Sequence, residues 1–112
     1  MIREIRFYRD HFLTFRREVV LPPDQEELLF HMELLVQLKR IPRGLISDVS
    51  FPEFRPLRRF MVSIEDRHYC VMCHEDKQGF IFFNGFKVRE GEPTYAKEKL
   101  AFQLWELYRM EA

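Results

Sequence analysis

Hydrophobic and polar positions change period several times along the chain, and each change marks an element. From Ile2 to Tyr8 the two alternate, with Ile5 and Phe7 set against Glu4 and Arg6, which predicts a half-buried strand. Asp10 then stands as an N-cap for a short helix. Its Phe12 and Phe15 face inward, and Arg16 and Arg17 lie near its end. Pro22 and Pro23 break the chain. Asp24, Glu26 and Glu27 fill the first turn of a second helix and Lys39 and Arg40 its last, an order that suits the helix dipole. Leu28, Met32, Leu35, Val36 and Leu38 form the apolar stripe, and Pro42 and Gly44 stop it. Residues 43–57, with Gly44, Pro52 and Pro56, read as loop.

From Arg58 the period falls to two. Phe60, Val62 and Ile64 share one face of a strand, and Glu65-Asp66-Arg67 makes a tight turn. On the next strand Tyr69, Val71 and Cys73 alternate with His68, Cys70, Met72 and His74. Residues Glu75 to Gly79 form a second turn, with Gly79 where a positive φ is needed. The dense aromatic run from Phe80 to Phe86 completes a three-stranded antiparallel meander. It is a buried strand that ends in an Asn84-Gly85-Phe86-Lys87 turn and the cations Lys87 and Arg89. Thr94 caps a last helix packed down by Leu100, Leu104, Trp105, Leu107 and Tyr108. The order is strand, two helices, three-stranded meander, helix. This predicts a small α+β domain over residues 1–112, with helices layered on one sheet.

Composition adds limits. Twelve Phe allow a well-packed core. The 18 basic and 18 acidic residues cancel, which argues against a strongly basic nucleic-acid glove but leaves room for a local basic patch. The opening residues resemble neither a signal nor a transit peptide, and no apolar run approaches the roughly 20 residues that span a bilayer. The expected setting is the cytoplasm, with no membrane partner and both cysteines reduced.

Cys70-Val71-Met72-Cys73-His74 matches the CxxCH pattern of covalent haem attachment. Placed inside a strand, however, residues three apart point to opposite faces, so two buried structural thiols are the preferred reading. No cofactor and no metal site is expected. His68 and His74 share a face but lie roughly 20 Å apart along the strand, too far to hold one ion. Either alone can act as an acid or base near neutral pH, although a surface histidine without such a role is the commoner case. Ser63 shows no partner close in sequence that would make it a nucleophile. Between Lys39 and Arg67 basic residues outnumber acidic ones, and Lys87 and Arg89 follow the aromatic strand. Brought together, these would form a phosphate-sized patch; otherwise they are a solvated loop surface.

The order and spacing of these segments resemble the RelE/HigB-like toxins of bacterial type II toxin–antitoxin systems, in their phage-derived branch. Arg3-Glu4-Ile5-Arg6-Phe7-Tyr8 is similar to that branch's Arg-Glu-x-x-Phe-Tyr start, and Glu27 to Leu38 to its Leu-rich second helix. Asn84-Gly85-Phe86-Lys87 is similar to its Asn/His-Gly-Phe-x-Lys-Lys segment, and Glu92-Pro93-Thr94 to its Lys-Thr-Pro. The resemblance implies a RelE-like fold and a metal-independent endoribonuclease. Such an enzyme cuts messenger RNA on the ribosome through attack by the 2′-hydroxyl, and is blocked by a cognate antitoxin.

On this reading His68 or His74 is the acid or base, with Arg59 beside them as a further catalytic candidate. Arg58, Arg67, Lys87 and Arg89 hold the RNA backbone. The chain also departs from the family pattern. Cys70 stands where the resemblance implies an arginine, and Val88 where it implies a lysine. A second reading therefore stays open, in which the fold binds an antitoxin or RNA without cleaving.

Overall fold

The computed structural model describes residues 3–111; Met1, Ile2 and Ala112 lie outside the described residues, and with them the expected strand start at Ile2. The first strand, β1 (Glu4–Phe7), leads through a left-handed turn at Arg9 (φ 54°) into α1 (His11–Glu18). Asp10 occupies the N-cap of α1 but its side chain makes no capping hydrogen bond. Helix α2 (Pro22–Gln37) begins at the two prolines, which fit the first turn because its N–H groups have no intrahelical acceptor. It ends before Lys39 and Arg40, so these do not form its last turn as expected. The α2 C-terminus is held instead by Arg3, whose guanidinium donates to the carbonyls of Leu35 (3.2 Å), Leu38 (2.6 Å) and Lys39 (3.0 Å).

The segment expected to be loop contains a short strand, β2 (Ile46–Asp48), and a 3₁₀ turn at Pro52–Phe54. Three residues are too few for a period to register, and pairing with a neighbour supplies the order. The meander follows as β3 (Arg58–Ile64), β4 (Arg67–Glu75) and β5 (Gly79–Val88), and the chain closes with α3 (Tyr95–Glu111). The sheet order is β1-β5-β4-β3-β2, with β1 parallel to β5 and the other pairs antiparallel. This is the expected α+β domain with one strand more than the pattern showed.

Helices cover both faces of the sheet. On one face α1 and α2 bury Phe12, Phe15, Leu28, Met32 and Leu35 against Phe60, Val62, Tyr69, Val71, Phe80 and Phe82. On the other, α3 buries Ala101, Leu104 and Trp105 against Cys70, Met72, Ile81, Phe83 and Phe86. Leu100 and Leu107, expected in this core, are 44% and 42% exposed. Burying β4 and β5 on both sides explains why their central stretches, Tyr69–Cys73 and Phe80–Phe83, are continuously apolar.

Asn84-Gly85-Phe86-Lys87 is not a turn but part of β5. Val71 pairs with Gly85 and Cys73 with Phe82, so β5 carries one extra residue there, a bulge at Phe83–Asn84. Gly85 serves packing: a Cβ at this position would lie 2.5 Å from the Phe15 ring. Among the described residues no helix is long and apolar enough to cross a membrane.

Candidate functional site

The register sorts the sequence candidates onto the two faces. Arg59, His68 and His74 point to the α3 side, whereas Arg58, Arg67 and Lys87 lie on the side of α1 and α2. These six residues therefore do not form one cluster, and Arg89 lies just past the end of β5.

His74 is half-buried beneath Trp105, with ring centroids 5.7 Å apart, and its Nδ1 is buried without a hydrogen-bond partner among the described residues. His68 lies at the opposite end of β4 and is exposed. Its Nδ1 is 2.7 Å from Ser63 Oγ, directly across the β3–β4 hairpin. This corrects the reading that Ser63 has no partner. The turn itself carries the signal: pairing Ile64 with Arg67 sets Ser63 opposite His68. Among the described residues no carboxylate hydrogen-bonds His68, so the pair is not a Ser-His-Asp triad.

Two of the expected RNA contacts, Arg67 and Arg58, and the catalytic candidate Arg59 are engaged by the protein. Arg67 donates from Nε (2.6 Å) and Nη2 (2.7 Å) to the two carboxylate oxygens of Asp24, which is 1% exposed. Tyr69 adds a third bond to Asp24 through its hydroxyl (2.6 Å). The Arg67 guanidinium beside it holds the Asp24 carboxyl well below the usual range, at about 2, against the opposing pull of burial. Asp24 thus anchors the hairpin rather than complementing the helix dipole from the surface.

Arg59 is pinned by bonds to the Asp48 carbonyl and Ser50 Oγ, both 2.9 Å. Arg58 lies 3.7 Å from both Asp48 and Glu75. These three candidate arginines are therefore partly or fully committed to acceptors within the fold.

Lys87 and Arg89 differ. Neither makes an ion pair with a described residue, and both line a groove of about 370 Å³ together with Asn84 and Gly85. Lys97, which the sequence reading missed, lines it too. Its ammonium sits 5.1 Å over the Phe86 ring and 3.1 Å from Glu92. The register places His68 opposite Val88, between Lys87 and Arg89 in sequence, so the exposed imidazole and the two cations share one end of the sheet.

The CxxCH pattern is structural. Cys70 and Cys73 are buried on opposite faces, in separate cores. Burial pushes the Cys70 thiol up to about 12 and the Cys73 thiol in the same direction, which leaves neither ready to react. Among the described residues no group of three His, Cys, Asp or Glu side chains is placed to hold a metal ion. A scan against protein-family models and a search of curated proteins find no match to the chain.

Proposed function

We propose that this protein is a RelE/HigB-like toxin that cleaves messenger RNA on the ribosome, with His68 as the general base. The observation that carries the reading is the exposed His68–Ser63 pair at the sheet end where Lys87 and Arg89 lie. If Nδ1–H donates to Ser63 Oγ, Nε2 keeps its lone pair and can take the ribose 2′-hydroxyl proton. The freed oxygen attacks the adjacent phosphorus and the bond to the 5′-oxygen breaks. The proton passes to that leaving oxygen. The products are a 2′,3′-cyclic phosphate and a 5′-hydroxyl. Arg89, just past the end of β5, stabilises the charge that builds on the phosphate, while Lys87, on the other face of the sheet, holds the backbone further along. The α+β order of strand, helix pair, meander and final helix agrees with the fold the resemblance implies. The reading implies action in the cytoplasm and control by a cognate antitoxin.

A second reading rests on a different observation. Arg58, Arg59 and Arg67 are engaged within the fold, and Cys70 is buried where an arginine was implied. A protein so altered binds RNA or an antitoxin without cutting. Induced expression separates the two. The first reading expects arrested growth and cleaved messages, both relieved by His68→Ala. Unimpaired growth with intact messages, while the protein is folded and abundant, would leave only the second.

A further inference from the structure

Beyond the end of β1, one side of β5 has no strand beside it among the described residues. β1 pairs with Gly79–Phe82, Tyr8 N–H donates to the Phe82 carbonyl, and the turn at Arg9 carries the chain away into α1. β5 runs on to Val88, and among the described residues only β4 pairs with its second half. In an extended strand every second residue directs its N–H and C=O to the same side. Residues 84–88 therefore offer unpaired backbone groups along roughly 17 Å of edge.

The groove described above runs along this edge. Val19, at the end of α1, and Leu100, from α3, wall it on opposite sides of the sheet, and both side chains are exposed. Lys87, Arg89 and Lys97 are its cations, with Glu92 on Lys97 the one acid in the lining. Asn84 also lines it and is nine-tenths buried. Its Nδ2 donates to the Lys97 carbonyl at 3.1 Å, while its Oδ1 has no partner among the described residues.

We propose that this edge receives an extended acidic segment of a partner protein as an added strand. Strand addition supplies the missing backbone partners, and alternate side chains of the incoming segment meet Val19 on one side and Leu100 on the other. Its carboxylates face Lys87 and Arg89. Single-stranded RNA, which the proposed function brings to Lys87 and Arg89, does not satisfy the strand edge itself. It lacks the amide ladder, and the groove presents no open aromatic face for a base, since Phe86 is 5% exposed beneath Lys97.

The test uses the full chain labelled with ¹⁵N. The probes are blocked seven-residue peptides alternating Val and Thr, with two Asp at one end or the other. Saturable shifts and slowed hydrogen exchange at Asn84–Val88 are expected. Lys87→Glu with Arg89→Glu should weaken binding at least about tenfold. The same peptide N-methylated at every second amide should lose at least about tenfold in one of its two phases, because only one phase faces β5. Absence of saturable binding at millimolar peptide, shifts centred elsewhere, or equal binding by both N-methylated forms would overturn the proposal. So would a heptanucleotide RNA that shifts these amides while the peptides do not.

Discussion

Removing the Asp24 carboxylate should unfasten the β3–β4 hairpin from α2. Asp24 accepts from Arg67 Nε and Nη2 and from the Tyr69 hydroxyl, all within 2.7 Å. In Asp24→Ala the guanidinium loses its main counter-charge and the Tyr69 oxygen, in a fully buried side chain, loses its carboxylate acceptor. Breaking a buried ion pair from one side costs about 3–5 kcal/mol. The Arg67 side chain is 21% exposed and keeps Glu65 at 3.3 Å, which places the cost at the lower end, about 3 kcal/mol. For a chain of this size that lowers Tm by roughly 12 °C.

Thermal and urea unfolding read this directly, with an unchanged m-value marking a pure stability effect. Asp24→Leu combined with Arg67→Met should recover most of the loss, because it removes both charges. The pH dependence follows from the same contact. A carboxyl held at about 2 when folded, below its ordinary value near 3.8, adds stability that is full above pH 4 and fades between pH 4 and pH 2. Asp24→Asn should flatten that acid limb. A loss under about 1 kcal/mol in Asp24→Ala, or an acid limb unchanged by Asp24→Asn, would refute the assignment.

Gly85→Ala should destabilise by about 2 kcal/mol, since the new methyl meets the Phe15 ring at 2.5 Å in a close-packed core; urea unfolding checks it, and an unchanged midpoint would count against the packing account. Both cysteines should resist a thiol reagent at pH 8 in the native state and react together on unfolding, because each is buried and burial raises its thiol pKa. Fast labelling of either in the folded protein would contradict that placement.

Much of the fold is legible in the sequence because the period changes where the elements change. The alternation of Phe60, Val62 and Ile64, and then of Tyr69, Val71 and Cys73, sets the meander and its faces without a structure. What escapes has no local signature. β2 is ordered by its pairing with β3, and a helix on each face follows from burying β4 and β5 twice over. Gly85 looks like a turn residue, and only the Phe15 ring against it reveals a packing site.

The same division holds for the candidate site. The types of candidate residue are visible, but which cations are already taken is not. Arg67 is matched by Asp24, 43 positions away in sequence, and Arg59 by a backbone carbonyl of β2. The Ser63–His68 contact lay within reach, since it follows from the hairpin turn once strand pairing is drawn out.

The central claim is that His68 removes a proton from RNA at the sheet end bearing Lys87 and Arg89. Purified protein added to ribosomes carrying a messenger RNA tests it most directly, with the cut ends analysed chemically. The account expects cleavage that leaves 2′,3′-cyclic phosphate and 5′-hydroxyl ends, slowed by at least about 100-fold in His68→Ala with the fold unchanged. Intact message with the folded wild-type protein, or cleavage by His68→Ala at the wild-type rate, would contradict it.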